Sequence, residues 1–194
     1  PKKWQRAFGQ MKQQSYRMNN LVNDLLMLSR LESDDTKQPP KPIDIKHLLE
    51  QLKQEAIAYS GEQHHHISVQ VNSPLRLMGM EADIRSAFSN LITNAIKYTP
   101  ANGDVSISWS HDDKYGYLSV KDTGIGIENQ HIARLTERFY RVDAARSSAT
   151  GGTGLGLAIV KHVLLQHKGM LNINSKPNIG STFTCVFAKE MLIA

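Results

Sequence analysis

Cysteine is almost absent. The one thiol, Cys185, lies in an alternating run near the C-terminus, which excludes an internal disulfide and a multi-cysteine metal site and points to a reducing compartment. No apolar run approaches the ~20 residues needed to cross a bilayer, and the N-terminus has no charged-then-apolar leader, so the chain as written is expected to be soluble. No block of one charge sign occurs either. The net charge of +5 comes from Lys and Arg that alternate with acids along the sequence, which speaks against direct nucleic-acid binding. No Gly-Lys-Ser/Thr triplet is present, which excludes a Walker A loop, and there is no internal repeat. What is there is 194 residues, 40% apolar and 21% charged, enough for one globular domain of ordinary size with an appended element.

The appended element is read at residues 4 to 32. Phe8, Met11, Ser15, Met18, Val22 and Leu25 recur at steps of three and four, with Leu21 and Leu28 widening the stripe, which predicts an amphipathic helix with coiled-coil spacing. Such a helix needs a hairpin or bundle to cover its apolar face. The stretch from Glu32 to Pro42 has three prolines and no apolar residue and reads as a linker. The expected organisation is therefore 1–33 as part of a helical domain, 34–42 as linker, and 43–194 as a second domain.

In that second domain Asp44 is placed to cap a helix through Leu48, Leu49, Leu52 and Ile57. Alternating Ile67, Val69 and Val71 predict a strand, Leu75 and Leu77 a short one, and 80 to 98 a helix. Val105, Ile107 and Trp109 with Leu118 and Val120 read as paired strands. A polar, glycine-rich stretch from Arg138 to Gly154 predicts a long mobile loop before a helix at 155 to 167. Leu171 and Ile173, then Phe183, Cys185 and Phe187, supply two more strands. Helices and strands interleave without strict alternation, so the expected fold is an α/β (α+β) two-layer sandwich, a mixed sheet with helices on one face.

Three groups of residues carry chemistry. Asn90, Asn94 and Lys97 share one helical face beside the apolar one; a hard amide oxygen suits Mg²⁺, and a lysine one turn on could meet phosphates. The alternative is a solvated face. Asp122 ends an apolar strand and opens Asp122-Thr-Gly124-Ile-Gly126-Ile127, where the glycines permit close backbone approach and the carboxylate can accept from an exocyclic amine; a glycine turn with an aspartate is also ordinary loop chemistry. Gly151-Gly152-Thr153-Gly154-Leu155-Gly156-Leu157 runs directly into a helix, where free N–H groups and the positive helix end favour phosphate. No strand precedes these glycines, which excludes a Rossmann fingerprint. Arg141 and Arg146, just upstream, are positioned to neutralise phosphate charge. His64, His65 and His66 are consecutive at a strand entrance, where neighbours face opposite sides, and so do not make a metal site.

In order, Asn90-Leu-Ile-Thr-Asn94-Ala-Ile-Lys97-Tyr98-Thr99, Asp122-Thr-Gly-Ile-Gly126, Arg138-Phe-Tyr-Arg-Val-Asp143 and Gly152-Thr-Gly-Leu-Gly-Leu157 resemble the N, G1, F and G2 boxes of sensor histidine kinases. The resemblance covers about 43 to 190. Leu25-Leu-Met-Leu-Ser-Arg-Leu-Glu32 looks like the second helix of that family's dimerisation domain, and Leu135 to Asp143 with Thr150-Gly-Gly is most similar to the phosphate-regulon sensor branch. The resemblance implies the GHKL (Bergerat) fold shared with gyrase and Hsp90, with ATP and Mg²⁺ held under a mobile lid. By position, Asn94 would ligate Mg²⁺ with Asn90, Lys97 would contact phosphate, Tyr98 would pack on adenine and Asp122 would read its amino group, with Arg141 and Arg146 as lid contacts. Gly124, Gly126, Ile127, Gly152, Thr153, Gly154, Leu155, Gly156, Leu157 and Thr182 complete the implied nucleotide contacts.

The same resemblance implies phosphoryl transfer to a histidine and relay to the aspartate of a response regulator, dimerisation through the N-terminal helix, and a bacterial inner-membrane parent of which this is a cytoplasmic piece. The alternatives are a regulatory nucleotide-binding or interaction module without kinase activity, and a GHKL-type ATPase. Gyrase-like ATPases place a glutamate where this chain has Asn90, and an amide cannot act as that general base. None of the eight histidines stands in the family's His-Glu-x-Arg-Thr-Pro context. The chain is therefore expected to bind ATP without phosphorylating itself at the proper histidine.

Overall fold

The computed structural model describes residues 2–33, 39–142 and 152–194. Its first element is a single helix, α1 (Lys2–Glu32), whose apolar residues divide between two faces. Phe8, Met11, Met18, Val22 and Leu25 are exposed, whereas Leu28 and Leu31 are buried and Leu21 and Met27 partly so against the rest of the chain. The apolar stripe read from the sequence thus does not bury as one surface: Leu21 and Leu28 leave it to cover the domain that follows.

Strand β1 (Lys41–Ile43) begins two residues before the boundary expected at Ile43 and pairs antiparallel with β3 (Arg76–Gly79). It is an edge strand, where the missing N–H of Pro42 costs no ladder bond. Asp44 caps α2 (Ile45–Ser60) by accepting from the His47 N–H at 3.0 Å. β2 (His66–Val71), α3 (Glu81–Tyr98), β4 (Asp104–His111) and β5 (Tyr115–Asp122) follow. After a one-turn helix, α4 (Asn129–Ile132), come α5 (Gly156–Gln166), β6 (Gly169–Lys176), β7 (Gly180–Ala188) and the short β8 (Leu192–Ile193).

The main sheet runs β2-β4-β5-β7-β6, and β8 joins β3 and β1 in a separate three-stranded sheet. β2 and β4 are parallel and every other pair in the main sheet is antiparallel, so the sheet is mixed, as its interleaved sequence pattern requires. Alternation decides its two faces. Val105, Ile107, Trp109, Leu118 and Val120 are fully buried under the helices, while Ser119 and Thr184 hydrogen-bond across the opposite face at 2.9 Å.

Phe187 lies edge-on to both Phe88 and Trp109, with ring centroids 6.3 Å apart in each pair; such pairs add about 0.5–1.5 kcal/mol each beyond burial. The Trp109 indole donates to the Leu75 carbonyl at 3.2 Å, so its one polar atom is satisfied. Cys185 is buried in the same core, and burial pushes its thiol well above the usual range. Of the three consecutive histidines, His65 turns inward, bonded to Ser60 Oγ through Nδ1 and to the Thr99 carbonyl through Nε2, while His64 and His66 are exposed. This pins the end of α2 to the end of α3.

Candidate nucleotide site

Between α3, the turn after β5 and the start of α5 lies a cavity of about 590 Å³. Most residues singled out from the sequence converge on it: Asn90, Asn94, Lys97 and Tyr98 from α3, Asp122, Gly126 and Ile127 from the end of β5, Arg141, and Gly152, Thr153, Gly154, Gly156 and Leu157 around the start of α5.

Asp122 is 5% exposed. Its Oδ1 accepts from the Gly124 N–H at 2.8 Å and the Ser181 N–H at 3.2 Å, which fixes the carboxylate while Oδ2 takes no hydrogen bond among the described residues. Burial raises its pKa, and the two N–H donors offset only part of that effect. Gly126 has φ +66°, and a Cβ there would strike the Lys176 carbonyl, so the turn passes β6 at a distance only glycine allows. The adjoining Ile127 N–H donates to Ser175 Oγ at 2.8 Å.

At the other end the polar groups are under-paired. Asn94 makes no side-chain hydrogen bond among the described residues. Nε and Nη2 of Arg141 are buried without a partner there, a costly state for a guanidinium unless a ligand completes it. Lys97 has its pKa lowered by burial and by Arg141, with Asp24 acting in the opposite direction. Burial likewise raises the Tyr98 phenol. Tyr140, next to Arg141, is held by His131 Nδ1 at 2.6 Å and lies under the Arg134 guanidinium. Asn90 donates to the Ser86 carbonyl at 3.0 Å. A Cβ on Gly156 would sit 2.6 Å from Asn90 Oδ1, so Asn90 and Gly156 set how closely α3 approaches the start of α5.

The remaining positions fall elsewhere. Gly124 lies beneath the cavity, where a Cβ would strike the Tyr98 carbonyl. Leu155 is fully buried in the core. Thr182 is a correction: it alternates with Ser181 and Phe183, which line the cavity, and so faces the other side of the sheet. Arg146 lies outside the described residues. Sequence reasoning missed Asn20, Asn23 and Asp24 of α1 and Tyr59 of α2, all of which line the cavity. The first three do sit at i, i+3 and i+4, one polar face of a helix.

One end of the cavity thus offers a fixed carboxylate to a donor, and the other offers two cations to an anion beside a helix N-terminus, with an amide oxygen suited to a hard cation. Comparison with known proteins agrees with this chemistry. Residues 79–191 match the family model described as histidine kinase-, DNA gyrase B-, and HSP90-like ATPase. The phosphate regulon sensor protein PhoR of Pseudomonas aeruginosa is 53% identical over 186 residues, 96% of this chain and 42% of that protein. PhoR of Haemophilus influenzae is 39% identical over 97% of this chain and 44% of that protein. The chain therefore spans less than half the length of these relatives. Among solved structures, full-length ShkA in complex with AMPPNP superposes with a TM-score of 0.78 at 29% identity, over 94% of this chain and 38% of that one. The histidine kinase AdeS of Acinetobacter baumannii, at 23% identity and a TM-score of 0.76 over 93% of this chain and 83% of that one, shares the fold. The chain belongs to the family of histidine kinase-, gyrase B- and HSP90-like ATPases, and within it resembles the catalytic regions of sensor histidine kinases.

Proposed function

We propose that the chain is the ATP-binding catalytic module of a sensor histidine kinase. The observation that carries this reading is the pairing of a fixed, buried Asp122 carboxylate at one end of the cavity with an Arg141 guanidinium near Lys97 at the other, its Nε and Nη2 buried without a partner among the described residues. Asp122 accepts the adenine amino group, Tyr98 packs on the ring, and Lys97, Arg141 and the start of α5 hold the phosphates. Arg146 joins them as a lid contact. Asn94, with Asn90 beside it, would hold Mg²⁺, which would supply positive charge against the phosphates.

With an amide at residue 90, where gyrase-like ATPases place their general base, the site holds the γ-phosphate for an incoming imidazole instead of activating water. The acceptor histidine belongs to the family's dimerisation domain, and the phosphoryl group passes on to a response-regulator aspartate. Residues 1–33 form half of the dimerisation hairpin, 34–42 the linker and 43–194 the catalytic domain, the whole facing the cytoplasm from an inner-membrane parent that senses phosphate supply. Calorimetric titration with ATP, with and without Mg²⁺, tests the reading. Magnesium-dependent binding that Asp122→Asn weakens supports it, and no binding in either condition overturns it.

A further inference from the structure

Helix α1 supplies one wall of the nucleotide cavity through Asn20, Asn23 and Asp24. The Asp24 carboxylate accepts a hydrogen bond from the Thr153 hydroxyl at 2.7 Å, linking positions 129 residues apart. It also lies close enough to the Lys97 ammonium for the two charges to act on each other. A carboxylate that takes the Thr153 hydroxyl and sits in the field of the Lys97 ammonium presents those groups with the negative oxygen that a phosphate would bring. Thr153 in turn accepts from the Leu155 N–H at 3.3 Å, at the threshold of α5.

The helix is held there by contacts outside the cavity. Arg30 pairs with the buried Asp83 at the start of α3, Glu32 pairs with Arg138, the Ser86 hydroxyl meets Met27 Sδ at 3.0 Å, and Gln166 donates to the Leu31 carbonyl. Leu28 and Leu31 are buried against the catalytic body. α1 is therefore docked along its last turns, with one carboxylate hydrogen-bonded to Thr153 on the wall of the cavity that also holds Lys97.

We propose that Asp24 stands in for a phosphate, so that docking of α1 and binding of a nucleoside triphosphate oppose each other. This rests on the nucleotide reading given above. Two anions cannot both be well compensated by one ammonium in a partly desolvated cleft. The triphosphate therefore displaces Asp24 from Thr153 and from the neighbourhood of Lys97 and loosens α1. By linkage, docked α1 weakens the triphosphate by the same factor. Adenosine, which has no phosphate, leaves α1 in place.

The test is titration of the 194-residue chain with Mg-ATP and with adenosine, in the native sequence and in Asp24→Asn. Asp24→Asn keeps the shape and removes the charge, and we expect Mg-ATP to bind about 5- to 50-fold tighter with adenosine unchanged. Arg30→Glu, which repels Asp83 and undocks α1 without touching the cavity, is expected to tighten Mg-ATP in the same direction. In the native chain, Mg-ATP but not adenosine should speed amide hydrogen exchange across residues 20–31. Unchanged or weaker Mg-ATP binding by Asp24→Asn overturns the assignment to Asp24, whatever Arg30→Glu does. Failure of all proteins to bind Mg-ATP removes the nucleotide reading and this inference with it.

Discussion

The two ends of the cavity are built on opposite rules. Around Asp122 the contacts of the strand end are satisfied from within: two backbone donors hold one carboxylate oxygen, and the turn beyond is pressed against β6 where Gly126 passes Lys176. Around Lys97 and Arg141 the chain gathers charge and leaves it incomplete, with a guanidinium short of partners among the described residues and a half-buried ammonium whose charge is offset only by the field of a carboxylate from another helix. A preorganised end reads shape and hydrogen-bond pattern, whereas an uncompensated end takes its stability from whatever anion arrives. On the proposed nucleotide reading, recognition of the base and capture of the phosphates are separable in the fold.

Breaking the first end should have the largest effect. Asp122→Asn keeps the acceptor for Gly124 and Ser181 and presents a second donor to the adenine amine. ATP and adenosine should both bind about 100-fold more weakly by calorimetry, a charged hydrogen bond being worth about 1.5–3 kcal/mol. The same variant should melt at least as high as the native chain at pH 7. The folded Asp122 pKa is raised above 3.8, so folding takes up a proton, and the stability associated with this group is present at low pH and lost as pH rises through the folded value. The advantage of Asp122→Asn should therefore fade as melting is measured at pH values approaching and below 3.8. An advantage that grows on acidification would contradict the assigned burial.

Next in size is Arg141→Ala, for which ATP should weaken about tenfold while adenosine is unaffected, as expected for loss of one charged contact. Equal loss for both ligands would erase the distinction between the two ends. Asn94→Ala should remove the increment in ATP affinity that Mg²⁺ provides and leave magnesium-free binding within about twofold, since a single neutral ligand to the ion is withdrawn. Smallest of all, Gly156→Ala must push Asn90 Oδ1 away from 2.6 Å. Because the clashing atom is the end of a side chain that can yield, the cost should fall at or below the low end of the about 1–3 kcal/mol typical of overpacking, read as a slightly lowered melting temperature, and Asn90→Ala in the same chain should restore part of it.

The end that reads hydrogen-bond pattern was also the more legible in sequence, because a carboxylate at the close of an alternating strand followed by two spaced glycines constrains its own geometry. The face of α3 was legible for a similar reason: steps of four and three place Asn90, Asn94 and Lys97 together in any helix. Thr182 was misplaced for want of register, since only the pairing of β7 with β5 tells which alternate residue faces inward. Strands β1 and β8, of three and two residues, exist by virtue of β3 between them and carry too few residues to show a period. Asp24 was hidden for a deeper reason. Its helix has two faces, and the apolar stripe that catches the eye belongs to the exposed one, while the docked face is defined by groups on α3 and α5 far along the chain.

The solitary thiol in the core gives the molecule a clock of its own. Cys185 is fully enclosed, and its anion is disfavoured, so alkylation under native conditions must wait for the sheet to open. The labelling rate of this one sulfur, compared with that of the unfolded chain, measures the frequency of opening at the centre of the domain without any foreign probe. A ligand that closes the cavity should slow that clock in proportion to its occupancy.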